Sequence, residues 1–322
     1  PRCVSRPRPA RRRVSATQRR CAISSTSGDR TVSEQSPLRL ATRGSRQALG
    51  QSNAVAAAIT EATGRAVDLV TVETTGDVRL DVPLHQIGGQ GVFVKEVQRA
   101  VLDGRADLAV HSAKDLPSAP ADGLALAAFC ERRDPRDALV GADLASLADG
   151  CTVATGSVRR RAQLRRVRPD LQFAELRGNI DSRLSKTPDG GAIVMAVAAL
   201  DILGLTDRIA EMLAVDEFVP AVGQGCVAVE CRSDDDATRE VLVAIDHHVT
   251  RHSVEVERAF LAELGSGCSL PVGAHVADGR LWTFLADLDT GISVSDEIEL
   301  PGGADDLDVA RVAARAAREA LT

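Results

Sequence analysis

The stretch LRLATRGSRQALGQSNAVAAAITEATGRAVDLVTV, residues 38–72, decides the fold class. Both of its ends are short apolar runs that contain β-branched residues, which predicts two strands. Between them, 45–62 carries the apolar residues Leu49, Val55 and Ile59 and predicts a helix. A strand, a helix and a second strand in this order predict a βαβ unit with parallel strands.

The same alternation of strands and helices continues along the chain, and its last part differs. Further strands are expected at 107–111, 152–155, 171–176, 192–196 and 219–231. After residue 270 the pattern predicts three strands in a meander, closed by a helix at 306–321. The fold class expected from this order is α/β with mostly parallel strands, arranged in three domains.

The composition narrows the functional classes. The 322 residues are 44% hydrophobic and 26% charged, as in soluble globular proteins, and no apolar run approaches the roughly 20 residues that cross a bilayer. The net charge is −6, which disfavours a nucleic-acid binder because phosphate binding needs a basic excess. With 2% aromatic residues, a stacking platform for bases is also hard to build.

The cysteines favour a reducing compartment. There are seven, an odd number, and no two of them form a C-x-x-C pair. Histidines do not cluster at the spacing of zinc ligands either, so a disulfide framework and a structural metal site are both disfavoured.

The first 36 residues differ in composition from the rest. They contain nine Arg, seven Ser and only two acidic residues, Asp29 and Glu34. This is the signature of an organelle transit peptide, and the alternative is a disordered basic tail. We expect a plastid location, with the cytoplasm as the alternative.

Five arginines stand where predicted strands give way to helices or loops: Arg43, Arg159, Arg160, Arg177 and Arg183. In open α/β sheets, ligands bind outside the carboxyl ends of the strands. The planar guanidinium group grips carboxylates with two hydrogen bonds. The arginines therefore predict a cleft for a small polyanion, although each one alone could be a solvated surface residue.

The segment HSAKD, residues 111–115, follows a predicted strand at the same edge. It places the Ser112 hydroxyl, the Lys114 ammonium and the Asp115 carboxylate on one loop. A carboxylate there could stabilise a developing cation or transfer a proton. The alternative is a helix-capping serine beside a surface ion pair.

The Gly-rich turn GSGCS, residues 265–269, carries Cys268. Flanking glycines let the backbone approach a bulky group, and an exposed thiolate near positive charge is a good nucleophile. The alternative is a buried structural thiol. A cysteine-nucleophile hydrolase would also need a histidine base, for which His275 is the only candidate nearby in sequence.

Many short motifs, in order, resemble those of the porphobilinogen deaminases, also called hydroxymethylbilane synthases. They are ATRGS (41–45), TGD (75–77), FVKE (93–96), HSAKD (111–115), DPRDA (134–138), SVRR (157–160), LRGN (176–179), RLSK (183–186), PAVGQG (220–225) and the Cys268 turn. The resemblance runs from about residue 38 into the last domain.

The resemblance implies two α/β domains like those of type II periplasmic binding proteins and a small α+β C-terminal domain. Domain 1 is expected at 37–131 with 219–240, domain 2 at 132–218 and domain 3 at 241–322. It also implies a transferase that joins four porphobilinogen molecules head to tail, with loss of ammonia and release of hydroxymethylbilane. The expected protein is a monomer that acts on a small molecule in haem or chlorophyll biosynthesis, without nucleic acid, membrane or metal.

The family carries a dipyrromethane primer on a cysteine, which implies a thioether at Cys268. The resemblance assigns Asp115 to the pyrrole N–H groups and the azafulvene-like cation. The residues implied for the primer are Ser112, Lys114, Asp115, Thr155, Ser157, Arg159, Arg160 and Arg183. The residues implied for the incoming ring are Arg43, Ser45, Gln51, Arg177, Arg183 and Gln224.

Three residues depart from the family pattern. Gln90 stands where the family has a lysine, Ala199 where it has a glycine, and Ile202 where it has an arginine. Because a charged hydrogen bond contributes on the order of 1.5–3 kcal/mol, we expect weaker substrate binding rather than lost chemistry. The rival function is a non-enzymatic or divergent anion-binding protein on the same fold, which would need neither Asp115 nor Cys268.

Overall fold

The computed structural model describes residues 36–74, 94–265 and 270–321. Several predictions therefore lie outside the described residues. These are residues 1–35 of the predicted targeting segment, the turn with Gln90, the TGD motif and the turn that carries Cys268.

The described residues form three sheets, and the first of these takes its strands from two separate parts of the chain. Its strands are β1 Leu38–Arg43, β2 Val67–Val72, β3 Leu108–Ser112, β4 Leu124–Phe129 and β10 Val227–Arg232. Their order is β2-β1-β3-β10-β4. Helices α1 Arg46–Thr63, α2 Lys95–Leu102 and α6 Asp236–Val243 pack against this sheet.

The sequence sets both ends of α1. Ser45 is the N-cap, and its Oγ accepts a hydrogen bond from the Ala48 N–H at 3.3 Å. The helix ends at Gly64, whose φ of 73° is readily adopted only by glycine, and its N–H donates to Thr60 O. The Ser45 cap holds the first turn of α1 directly beyond the end of β1.

Alternate residues of the strands enter different cores, because successive side chains of a strand point to opposite faces of the sheet. Leu40 and Leu108 pack with Val55 and Ile59 of α1. Ala41 lies on the other face, in the core that includes residues of α2. The first sheet is thus covered by helices on both faces.

The second sheet repeats the arrangement of the first. Its strands are β5 Asp137–Val140, β6 Thr152–Ala154, β7 Gln172–Ala174, β8 Ala192–Ala196 and β9 Ile209–Met212, in the order β7-β6-β8-β5-β9. Its helices are α3 Val158–Val167, α4 Ile180–Leu184 and α5 Val197–Asp201.

Each of these sheets is mixed. In the first, β10 runs antiparallel to both β3 and β4, and in the second β5 runs antiparallel to both β8 and β9. The expectation of mostly parallel strands holds for the other four strands of each sheet. Both antiparallel strands follow a segment that crosses from one sheet to the other.

The third sheet is the predicted meander. Its strands β11 Val272–Ala277, β12 Arg280–Ala286 and β13 Ser293–Glu299 are antiparallel. Helices α7 His248–Glu263 and α8 Asp305–Glu319 pack on it through a shared apolar core. The predicted fold class, two α/β sheets with a small α+β part at the C-terminal end, is confirmed. The domain boundaries stay predictions.

One predicted strand is largely wrong. The apolar run 219–231 forms a strand only from Val227, and the part before it is a loop. The side chain of Gln163 accepts from Val219 N and donates to Val219 O, at 2.7 and 3.2 Å. A side chain thus satisfies the backbone groups that a neighbouring strand would otherwise bond. The pattern also missed β4, β5 and β9.

Within the described ranges, no helix combines the length and the apolar character that a membrane span requires.

Candidate functional site

A cleft lies at the carboxyl ends of strands from both five-stranded sheets. On one side it begins at Arg43, where β1 ends, and at the 3-10 turn Ala113–Asp115 after β3. On the other side are Arg160 of α3, Arg177 after β7 and Arg183 of α4. The cleft encloses about 650 Å³, a size typical of small-molecule sites.

The structure brings half of the predicted site residues together at this cleft. Those that line it are Arg43, Ser45, Lys114, Asp115, Arg160, Arg177 and Arg183. They come from two sheets and from positions more than 100 residues apart, so the clustering is a property of the fold.

Lys114 and Asp115 share the 3-10 turn after β3. Lys114 Nζ donates to Gln224 Oε1 at 3.3 Å. Burial, aided by the positive charge of Arg160, lowers the pKa of Lys114 to about 8 against the opposing effect of Asp115. A ligand carboxylate placed here would stabilise the charged form of the lysine.

Two arginines beside the second sheet are well suited to anions. Burial and the nearby charge of Arg160 lower the pKa of Arg183 to about 10, although Asp115 opposes the shift. Arg177 Nη1 is buried and has no hydrogen-bond partner within the described residues. A buried N–H without an acceptor costs free energy, and a carboxylate ligand would supply that acceptor.

A buried carboxylate forms ion pairs with two neighbouring arginines of α3. Asp137 Oδ1 lies 2.7 Å from Arg160 Nη2, and its Oδ2 lies 2.8 Å from Arg159 Nη2. Burial by itself raises the pKa of Asp137, but the charges of Arg159 and Arg160 outweigh it and hold the pKa well below its usual range. Arg159 also donates to Val219 O at 2.7 Å, and Arg160 donates to Val194 O at 2.8 Å. Of the two, Arg160 lines the cleft.

Four predicted site residues lie behind the wall of the cleft, within the described part of the chain: Thr155, Ser157, Arg159 and Gln224. Thr155 Oγ1 accepts from Ser157 N at 3.2 Å, and Ser157 Oγ accepts from Arg160 N at 3.4 Å. Gln224 Nε2 donates to Asp137 Oδ1 at 2.8 Å. These groups hold Arg160 and its partner in place instead of facing the cleft.

A narrow crevice continues from the cleft between the two sheets, and Gln51, Ser112 and Lys114 line it. Gln51 Nε2 donates to Ser112 Oγ at 3.0 Å. Both predicted residues thus stand beside Lys114 but at the edge of the main cleft. Ser45 lines the cleft while its side chain caps α1.

Two of the three departures from the family pattern fall within the described residues. Ala199 lines the cleft. Ile202 packs over Gly50, where an added Cβ would lie 3.2 Å from Ile202 Cγ1, and it lines the crevice. Arg133 lines the same crevice and pairs with Asp201 at 2.5 Å.

Sequence reasoning missed several charged residues of the site, among them Asp137, Arg46 and Asp181. Asp137 was available from the DPRDA motif, in which a carboxylate begins an apolar strand. Arg46 follows the predicted Ser45 directly and lines the cleft, as does Asp181 of α4. Neither of these two has a signal in the sequence, because an isolated charged residue near a helix end is usually a solvated one.

The chemistry of the cleft suits a ligand with several carboxylates. Guanidinium groups from both sheets face one space, and a buried N–H of Arg177 has no acceptor among the residues that the structure describes. The Asp115 carboxylate lies among these cations, where it could stabilise positive charge that develops on a bound molecule.

Comparisons with known proteins agree with this chemistry. The family model described as "Porphobilinogen deaminase, dipyromethane cofactor binding domain" matches residues 38–240, and the model "Porphobilinogen deaminase, C-terminal domain" matches residues 252–316. A curated relative, porphobilinogen deaminase of Geobacter metallireducens, is 42% identical over 273 residues, which are 82% of this chain and 86% of the relative.

Solved structures of lower similarity include two bacterial proteins. The periplasmic VFT2 domain of BvgS from Bordetella pertussis is 18% identical, with a TM-score of 0.38 over 65% of this chain and 86% of that one. Immunogenic lipoprotein A from Vibrio vulnificus is 14% identical, with a TM-score of 0.42 over 68% of this chain and 99% of that one.

Proposed function

The chain belongs to the porphobilinogen deaminase family, and from that premise we propose that Asp115 serves the reacting pyrrole while the surrounding cations hold its carboxylates. The enzyme is a transferase of tetrapyrrole biosynthesis that condenses porphobilinogen, and it has the dipyrromethane-cofactor-binding domain. The observation that carries the proposal is that Asp115 and five arginines from two sheets line one cleft.

Different cations of the cleft are assigned to the carboxylates of the incoming ring and to those of the primer. Porphobilinogen has two carboxylates, so a growing chain of pyrroles needs many partners. We assign Arg43, Arg177 and Arg183 to the incoming ring, with Ser45 at the same edge. We assign Lys114, Arg160 and Arg183 to the primer, with Ser112 and Gln51 beside them in the crevice.

The residues behind the cleft wall act through Arg160 and Lys114. Asp137 accepts hydrogen bonds from both Arg160 and Arg159, while Gln224 bonds both Lys114 and Asp137. Ser157 is the N-cap of α3, which carries both arginines, and Thr155 Oγ1 accepts from Ser157 N. We therefore assign Thr155, Ser157, Arg159 and Gln224 to positioning rather than to direct contact with a ligand.

The residues of the cleft fit a dipyrromethane group. Its acidic side arms match the lysine and arginine side chains, and one of these, Arg177, has a buried N–H without an acceptor among the described residues. When bound, the group supplies the pyrrole carbon on which the chain is extended. We propose Cys268 as its point of attachment.

Asp115 would stabilise charge on the substrate. Loss of ammonia from porphobilinogen leaves positive charge on the pyrrole, and a carboxylate beside it lowers the free energy of that state. Lys114 and Arg183 line the same cleft as Asp115, where their charges are available to the carboxylates of the substrate.

The test is replacement of Asp115. We expect Asp115→Ala to lower kcat by about 10²–10⁴-fold, since positioned acid–base or electrostatic groups contribute that much. Asp115→Glu should retain part of the activity. If Asp115→Ala consumed porphobilinogen at the normal rate, the assignment would be wrong.

Denaturing mass spectrometry tests the attachment site separately. The purified enzyme should carry a dipyrrole adduct that maps to Cys268, and Cys268→Ser should lack that mass. A bare thiol at Cys268 in folded, active protein would contradict the assignment. The same measurement separates this function from an anion-binding protein, which would carry no adduct.

We further propose a plastid location, a role in chlorophyll as well as haem biosynthesis, and a monomeric state. The support for targeting is the composition of residues 1–36, with nine Arg and seven Ser against two acidic residues. A fluorescent protein fused to this segment should enter isolated chloroplasts, whereas exclusion would contradict targeting. Light scattering on the purified enzyme tests the monomeric state.

A further inference from the structure

An ion pair joins the two walls of the cleft. Arg46 Nη1 lies 2.6 Å from Asp181 Oδ1. Arg46 begins α1 beside the first sheet, and Asp181 lies in the first turn of α4 beside the second. Both residues line the cleft. The pair therefore places one more cation in the space that holds the proposed substrate arginines, with a protein carboxylate already bound to it.

The Arg46–Asp181 pair is open to solvent. The side chains of Arg46 and Asp181 are 60% and 49% exposed, whereas the Asp137 side chain is 1% exposed in its pair with Arg159. Exposed ion pairs contribute little to stability, because water competes for both partners. Another carboxylate can therefore replace Asp181 on Arg46, which is not possible at the buried pair.

The ligand that fits this exchange has carboxylates of its own. The Asp181 side chain and the acetate and propionate arms of porphobilinogen all end in a carboxylate, and a guanidinium can donate two hydrogen bonds to any of them. We propose that Arg46 is a further substrate-binding residue and that Asp181 occupies it between substrates. The proposal rests on the proposed function of the cleft as the porphobilinogen site.

The two partners should then have opposite effects on substrate affinity. We expect Arg46→Ala to raise KM about three- to tenfold, since one charge-assisted contact is lost. Asp181→Asn keeps the size of the side chain but removes the competing charge, so it should lower KM about two- to threefold. The value of kcat should stay within about twofold in both variants, because neither residue is assigned to the chemistry.

Glu297→Gln is the matched control. Glu297 pairs with Arg280 on the third sheet, and their side chains are 45% and 54% exposed, close to the exposure of the cleft pair. The control should leave KM and kcat unchanged. If Arg46→Ala and Asp181→Asn instead shifted KM in the same direction, or left it unchanged, the pair would only tie the walls together and the proposal would be overturned.

Arg43→Ala separates this inference from the function on which it rests. Arg43 lines the same cleft and is assigned to the substrate. A raised KM in Arg43→Ala with no change in Arg46→Ala overturns the role of Arg46 alone. No change in either variant overturns the location of the substrate site as well.

Discussion

The two five-stranded sheets share one strand order but contribute different chemistry to the cleft. Beyond the first sheet, the turn after β3 supplies Lys114 and Asp115. Beyond the second sheet, the corresponding edge supplies Arg160, Arg177 and Arg183. The first half thus presents the one carboxylate that is proposed to act on the substrate, together with the cations Arg43, Arg46 and Lys114. Every group of the second half that is assigned to a ligand is a cation, so we call this half the cationic half.

The difference shows that strand order fixes where side chains meet and that local sequence fixes what they do. Both sheets insert one antiparallel strand, β10 or β5, directly after a crossing segment. In both sheets, parallel strands end at the shared cleft. A single buried carboxylate, Asp137, anchors Arg160 in the cationic half. Gln224 donates to the same carboxylate and accepts from Lys114 of the first half.

Asp137→Ala should have the largest effect on this comparison, because it leaves Arg159 and Arg160 buried without their counter-ion. Breaking a buried ion pair costs about 3–5 kcal/mol, so we expect a loss of that order in the free energy of unfolding, measured in urea. Activity should fall with it. Asp170→Ala, which removes a more exposed partner of Arg168, should cost less than about 1 kcal/mol. Equal losses of unfolding free energy in the two variants would contradict the anchoring role of Asp137.

Lys114 in the first half should give a pH-dependent stability. Its pKa is lowered to about 8 in the folded protein from 10.5, so between these values the unfolded state binds more protons. Stability should therefore rise with pH across that window, and the penalty present below pH 8 should be about 3 kcal/mol.

Lys114→Met should remove this rise. The measurement is the difference between the two proteins in urea unfolding at pH 7 and at pH 10, which cancels the other titrating groups. A constant difference at both pH values would contradict the lowered pKa.

Arg177→Ala tests the cationic half without disturbing its anchor. We expect KM to rise about tenfold, because a charged contact to a substrate carboxylate is lost. The unliganded protein should not lose stability, since Arg177 Nη1 is buried without a partner among the described residues. Arg177→Lys keeps the charge but not the planar guanidinium group, so its KM should lie between those of the wild-type enzyme and Arg177→Ala. An unchanged KM would remove Arg177 from the substrate site.

Ile202→Arg should have the smallest effect, at the crevice between the halves. The family has an arginine at this position, and Ile202 lines the crevice beside Arg133. We expect a gain of only a few-fold in kcat/KM, because Arg133 already brings a positive charge there. No gain would contradict the expectation that this departure weakens substrate binding.

Much of the cleft was predictable from the sequence because it depends on strand ends. Arg43, Arg177 and Arg183 follow predicted strands, and all three line the cleft. The motif at 111–115 likewise follows a predicted strand and lies at the same edge. Apolar runs fix where a strand stops, and parallel strands stop on the same side of a sheet.

The different fates of Arg159 and Arg160 could not be predicted. They are adjacent in one helix, yet one bonds Val219 O and lies behind the wall, while the other lines the cleft. Which of the two arginines faces the cleft depends on the path of the segment around Val219, which leads from the second sheet back to the first. The apolar sequence of that segment predicted a strand, and the structure has a loop there. The pairing of Arg46 with Asp181 depends in the same way on a contact across 135 residues.

The sequence by itself determined the α/β class, the meander at the C-terminal end, the family, and the arginine and aspartate side chains available for an acidic pyrrole. These follow from local periodicity and ordered motifs, which are properties of neighbouring residues. Only the tertiary structure decided which of those charges face the cleft, which ones hold the others, and that Asp137 anchors two of them. Such choices depend on burial and on contacts between distant segments, because the free energy of a charge is set by its surroundings.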